Sequence, residues 1–231
     1  MKPKMLITLY FVALAVECLA VLLGSAGLHL VSKPLLMPLL ALYFYITAHG
    51  SSPGRSLVPG ALAFSWAGDI LLMLDKLYGS LFIYGLIGFL GAHACYLLYF
   101  LGIRRSSGEA RPPNIVGSLV ILAYMAAFYT FLYPGLGALK VPVLIYAVFI
   151  TLMLVSSLRA FDLRKEVFGR ICVMGTMIFA VSDSILAINR FVAPFEYAPL
   201  FIMVTYGVAQ FLIVEGAKSG RQGSTSQNRE R

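Results

Sequence analysis

The sequence predicts an all-α fold, a polytopic bundle of eight transmembrane helices, and three observations carry that prediction. Of 231 residues, 60% are hydrophobic and 12% are charged, and the mean hydropathy is +0.87, far outside the mix of a soluble domain. Apolar runs near the ~20 residues needed to cross the hydrocarbon of a bilayer recur eight times. The Lys and Arg residues lie between those runs and favour one side of the membrane.

The first run, Met5 to Leu23, follows Lys2 and Lys4 and ends near Gly24-Ser25-Ala26-Gly27. It looks like a signal peptide, but it exceeds the roughly 7 to 15 apolar residues of such a segment and contains Glu17, so it reads as a retained helix. Further runs follow at Val31–Ala48, Leu57–Leu74, Leu81–Leu101, Ile115–Tyr133, Val141–Leu158, Val167–Ile188 and Tyr197–Glu215. Turn-forming residues separate them, among them Gly50-Ser51-Ser52-Pro53-Gly54, Pro112-Pro113, Pro134-Gly135 and Pro194.

An even count puts both termini on one side. That side then collects 14 of the 18 Lys and Arg residues, leaving Lys33, Lys76, Lys140 and Arg190 on the other. The excess predicts cytoplasmic termini, in a bacterial inner membrane or the endoplasmic reticulum. Residues 1–217 form the membrane domain on this reading. Residues 218–231, rich in Gly, Ser, Gln and Arg, form a disordered cytoplasmic tail.

The net charge of +8 is spread among the connections rather than gathered on one basic face, which argues against nucleic acid as a partner. Cys18, Cys95 and Cys172 all lie inside apolar runs, an odd and scattered set that makes neither a disulfide framework nor a zinc site. His29 and His49 fall at predicted helix ends on opposite sides, so they assemble no three-ligand metal set with His93.

The most informative stretch is Gly175 to Asn189, where Asp183 follows Ser182 within an apolar run. A carboxylate at the centre of a membrane helix costs about 2.5 to 3.5 kcal/mol, so it demands a partner or a function. Ser65 to Leu74 echoes it, with Asp69 after Gly68. At about 1.5 Å rise per residue, Asp69 and Asp183 lie about 18 and 24 Å from the cytoplasmic starts of their helices, at one level in the outer half. Glu17 lies at a similar depth. Tyr146 and His93 descend from the opposite side to the outer half and the middle.

A lone polar residue in such a helix is most simply a packing group satisfied by a neighbour. Two aspartates at matched depth instead mark a site. Lys33 is placed to snorkel to the interface, either as an anchor or as a contact for a lipid phosphate. Gln210, with Tyr206 one turn before it, should face the bundle interior. Trp66 reads as ordinary membrane composition and Glu215 as interfacial. The two aspartates sit on the third and seventh helices, and Lys33-Pro34 opening the second has a loose counterpart in Lys140-Val141-Pro142 opening the sixth. This suggests two parallel four-helix halves.

Taken in order, these residues resemble the YhhN family of eight-helix membrane proteins, whose characterised members are lysoplasmalogenases. The matching pieces are Lys33-Pro34, Gly68-Asp69 with Leu72, Gly91-x-His93-x-x-Tyr96, Tyr146, Ser182-Asp183 with Leu186, and Tyr206-x-x-Ala209-Gln210. The resemblance implies hydrolysis of the vinyl ether of a lysoplasmalogen, giving a fatty aldehyde and glycerophospho-ethanolamine or glycerophosphocholine, with no cofactor. Such chemistry wants one carboxyl protonated and one ionised, and two neighbouring buried carboxyls can share a single proton. Asp69 and Asp183 are thus the candidate catalytic pair. Lys33, His93, Tyr146, Ser182, Asn189, Tyr206, Gln210 and Glu17 are candidate binding or supporting residues.

The residues alone leave two other classes open. A proton-coupled transporter would also place carboxylates midway across a repeat-built bundle. An intramembrane aspartyl protease would use two aspartates on separate helices, one after Gly as in Gly68-Asp69.

Overall fold

The computed structural model describes residues 2–48, 54–106 and 114–218. The sequence expectations for His49 and for residues 219–231 lie outside the described residues. Lys218, expected to begin the tail, is instead the last residue of a helix.

Among the described residues the secondary structure is helical throughout, because a chain in hydrocarbon must satisfy its backbone polar groups within each segment. The helices are α1 (Pro3–Leu22), α2 (Ala26–Thr47), α3 (Leu57–Tyr78), α4 (Phe82–Ser106), α5 (Ile115–Leu132), α6 (Lys140–Ala160), α7 (Val167–Phe191) and α8 (Ala198–Lys218). All eight are long and apolar enough to cross a membrane, and the chain is an integral membrane protein. Two short 3₁₀ turns, Tyr133–Gly135 and Gly137–Leu139, join α5 to α6.

Side-chain bonds fix how the helix ends are grouped. Tyr43 near the end of α2 donates 2.9 Å to Glu215 near the end of α8, and Lys218 pairs with Glu215 and donates 2.7 Å to the Tyr43 hydroxyl. This is the near end of the bundle. At the far end, Asp75 of α3 accepts from the backbone N–H of Leu81 and Phe82 at 2.8 and 2.9 Å, which satisfies orphan donors at the start of α4. Its other oxygen lies 3.8 Å from Arg190 of α7, whose guanidinium covers the Phe82 ring.

Adjacent helices pack closest in the pairs α7 with α8 and α3 with α4. In each, small residues let backbones approach, the usual device where apolar burial does not drive helices together. A methyl on Gly88 would stand 2.9 Å from the backbone of Gly68, and one on Gly216 would stand 2.6 Å from the backbone nitrogen of Cys172. The first contact sets the position of Asp69, the next residue of α3.

One element departs from expectation. The sequence places the start of the second helix near Val31 with Lys33-Pro34 opening it, whereas α2 begins at Ala26. Lys33 is therefore more than a turn inside the helix, and His29 is helical too. Pro34 and Pro38 lie within α2, where each removes an amide donor. The carbonyl that Pro38 leaves unmet is that of Pro34, and Trp66 of α3 donates to it through its indole N–H at 2.9 Å. Trp66, which the sequence marks as ordinary composition, repairs the helix at its break.

Candidate functional site

The helix packing that brings α2, α3, α7 and α8 together at the far end leaves a cavity of about 190 Å³ between them. Both aspartates line it, together with Lys33, Ser182, Asn189 and Tyr206 from the sequence-predicted set. His29, Asp75 and Arg190 line it as well.

Asp69 is 2% exposed. Its Oδ2 accepts from the Tyr206 hydroxyl at 2.7 Å, and its Oδ1 lies 3.6 Å from the Lys33 ammonium. The sequence alone leaves Lys33 as an interfacial group. The longer α2 instead brings its ammonium inward to an aspartate, where low dielectric strengthens the attraction.

Asp183 meets a different set. Its Oδ2 accepts from the Tyr146 hydroxyl at 2.8 Å and contacts His93 Nε2 at 3.0 Å. The Tyr146 hydroxyl and His93 Nε2 are themselves 2.9 Å apart, so the three groups form a triangle. His93 is fully buried, with its other nitrogen 3.4 Å from the Met153 sulfur and its ring against Phe179. This packing leaves His93 one orientation.

Three predicted residues support the site from behind. Gln210 is fully buried, accepting 2.6 Å from the Tyr96 hydroxyl and donating 2.9 Å to Ser65. The arrangement satisfies an amide that would be unfavourable against lipid. Ser182 donates 3.1 Å to the Ile202 carbonyl of α8, and Asn189 accepts 3.2 Å from the Phe195 amide beyond α7. The first bond ties α7 to α8 and the second ties the end of α7 to the connection that follows it, while the two residues border the cavity.

Glu17 is fully buried but does not line the cavity. Its carboxyl contacts His29 Nδ1 and the Ser32 hydroxyl, each at 2.7 Å. Neither His29 nor Ser32 was singled out from sequence. The signal was the four-residue spacing of His29 and Lys33, which becomes one helix face once α2 starts at Ala26.

A second cavity of about 60 Å³ lies between α4, α5, α6 and α7. Its walls are almost wholly apolar, with Met125, Phe128, Leu132 and Ile150 among them, and Tyr146 and Asp183 supply polar groups. Asp183, Leu186 and Phe82 line both cavities, so Asp183 stands where the polar and the apolar spaces adjoin. Among the described residues, no group of three or more His, Cys, Asp or Glu is placed to hold a metal ion.

A carboxyl with hydroxyl and imidazole donors, lining one cavity with a second carboxyl beside an ammonium, can move a proton and stabilise a cation. Relatives in other organisms carry names consistent with such chemistry. The chain is 28% identical over 196 residues to Lysoplasmalogenase TMEM86A of Bos taurus, covering 80% of this chain and 77% of that protein. It is 31% identical over 170 residues to Lysoplasmalogenase of Mycobacterium bovis, covering 73% of this chain and 62% of that longer protein. Lysoplasmalogenase TMEM86B of Mus musculus is 30% identical over 183 residues, covering 78% and 72%. No solved structure matches the chain significantly. The model of the YhhN family matches residues 28–217, from the first turn of α2 almost to the end of α8, and the chain belongs to the YhhN family.

Proposed function

We propose that this chain is a lysoplasmalogenase, hydrolysing the vinyl ether of a lysoplasmalogen to a fatty aldehyde and the glycerophospho-alcohol, with Asp69 and Asp183 as its catalytic carboxyls. The observation that carries the reading is that two aspartates within membrane-spanning helices, Asp69 on α3 and Asp183 on α7, line one cavity. The three lysoplasmalogenases above, alike over most of the chain, support the reaction class.

Hydrolysis begins when an acid protonates the β-carbon of the vinyl ether, leaving an oxocarbenium ion at the carbon bonded to oxygen. Water adds there and returns a proton to the site. The resulting hemiacetal then expels the glycerol oxygen as an alcohol and leaves the aldehyde. The balance is one water consumed per ether cleaved, so the chemistry demands a proton donor and a stabilising negative charge and nothing redox-active.

Asp183 is the proton donor in this scheme. Its Oδ2 is engaged by Tyr146 and His93, which directs Oδ1 to carry and deliver the proton. Asp69 is the stabilising carboxylate, because Lys33 lies 3.6 Å away as its counter-charge. The division parallels that of glycosidases, whose transition states are also oxocarbenium-like. The alkenyl chain extends into the apolar cavity beyond Asp183, and the headgroup stays at the far end near Lys33.

Release of aldehyde by detergent-purified protein tests the reading, with defined lysoplasmalogen as substrate and the matching lysophospholipid ester as control. Aldehyde from the vinyl ether is expected. Folded protein that releases none overturns it, and a solute moved only under a transmembrane gradient would point to a transporter instead.

A further inference from the structure

The proposed chemistry leaves unused the trio of Glu17, His29 and Ser32, of which Glu17 and Ser32 are buried. Glu17 is fully buried on α1, and both its oxygens are taken, one by His29 Nδ1 and the other by the Ser32 hydroxyl. A lone negative charge sealed in a membrane helix is strongly unfavourable. The Glu17 and His29 pair is neutral only when it holds two protons. One lies in the 2.7 Å contact between them, and whichever atom owns it, the other proton is on His29 Nε2.

His29 Nε2 has no hydrogen-bond partner among the described residues and is sealed from solvent. An unmet donor in a water-poor interior is unfavourable, so its presence calls for an acceptor from outside the chain. His29 lines the 190 Å³ cavity, as does Lys33. The two are four residues apart on α2 and share one helix face.

We infer that His29, oriented by Glu17 and Ser32, donates its Nε2–H to the phosphate of a lysophospholipid that Lys33 also binds. This makes His29 a headgroup-binding residue and Glu17 its positioning residue. The inference rests on the proposed function for the lipid's vinyl ether, but not for its phosphate.

The test separates those two claims by using pairs of ligands that differ only in the phosphate. Binding of ester-linked lysophosphatidylethanolamine and of the monoacylglycerol with the same chain is measured on purified protein, alongside turnover of lysoplasmalogen and of 1-alkenylglycerol. His29→Ala should weaken lysophosphatidylethanolamine binding about tenfold and raise the lysoplasmalogen KM similarly, with kcat within about twofold. Both phosphate-free lipids should be unaffected. His29→Gln, whose amide N–H reaches toward the Nε2 position, should recover part of the loss, and Glu17→Gln should reproduce it in part.

Equal losses with and without phosphate overturn the inference, as do unchanged affinities for both. Should His29→Ala fail to fold, the same comparison is read from His29→Gln and Glu17→Gln. Inorganic phosphate bound as tightly as the lysolipid would assign the site to a free anion and overturn the lipid assignment. Phosphate-dependent binding in a protein that cleaves no vinyl ether would keep the headgroup site and remove the enzymatic reading.

Discussion

At the scale of single residues, the proposed mechanism joins the two carboxyls in one catalytic step, and their substitutions should behave so. Asp69→Asn and Asp183→Asn each keep the shape of the side chain but remove proton exchange, so each should lower turnover by at least about 100-fold, the low end for general acid catalysis. The double substitution should cost little more than the worse single one, because groups in one catalytic step are not additive. Steady-state kinetics on purified variants decides both points, and near-parental rates in both single variants would remove the mechanism. Lys33→Ala carries a further consequence of the 3.6 Å contact with Asp69. An interfacial anchor would affect KM alone, whereas loss of the counter-charge should lower kcat about tenfold or more as well, as expected for a partner of a buried charge. The site residues were legible because each is a polar group in an apolar run. Their partners were not: that Asp183 meets Tyr146 and His93 while Asp69 meets Tyr206 and Lys33 depends on how each helix is rotated in the bundle. Helix rotation follows from the packing of glycines such as Gly88 against Gly68, which a polarity pattern does not encode.

At the scale of elements, seven of the eight helix starts fall close to the apolar runs, and the exception is instructive. The start of α2 is masked in the sequence because its first turns hold His29, Ser32 and Lys33, polar residues that break the hydropathy signal. Those residues are tolerated because Glu17 and Asp69 meet them from neighbouring helices. The paired prolines hide a second dependence. Trp66→Phe should destabilise the protein by about 1 to 2 kcal/mol through the lost bond to the Pro34 carbonyl, read as a lower melting temperature in detergent. Pro38→Ala supplies a backbone N–H to that same carbonyl, so in its background the effect of Trp66→Phe should shrink. An unchanged Trp66→Phe effect in that background would show that the indole bond does not serve the proline break. Gly216→Ala tests the tightest helix pair. The new methyl would meet the backbone of α7 at Cys172, which cannot rotate away as a side chain can, so a loss of about 1 to 3 kcal/mol is expected.

At the scale of the whole molecule, if the helix order is divided into α1–α4 and α5–α8, the two aspartates occupy matching places, each on the third helix of its half. Each is met by the second helix of its own half, Lys33 of α2 for Asp69 and Tyr146 of α6 for Asp183. Each is also met by the fourth helix of the other half, Tyr206 of α8 and His93 of α4. Tyr96 and Gln210, separated by 114 residues like the aspartates, are bonded to each other in the core. The matched Asp motifs were visible in sequence, but the contact of each aspartate with a fourth helix across the bundle exists only in the packed structure, where each fourth helix still packs closest on the third helix of its own half. The arrangement has a consequence for sidedness. The cavity, with Lys33, Asp75 and Arg190, belongs to the far end, and the near end carries the end of α8. We propose from the Lys and Arg excess that the near end is cytoplasmic, in which case the substrate headgroup should enter from the opposite leaflet. A reporter fused after Lys218 should read cytoplasmic and one inserted at Glu196, between α7 and α8, should not. In sealed vesicles with the near end inside, lysoplasmalogen added to the outer leaflet should be cleaved without first crossing the membrane. A C-terminal reporter on the outside, or hydrolysis only after lipid is loaded into the inner leaflet, would reverse the assignment and place the site on the cytoplasmic side.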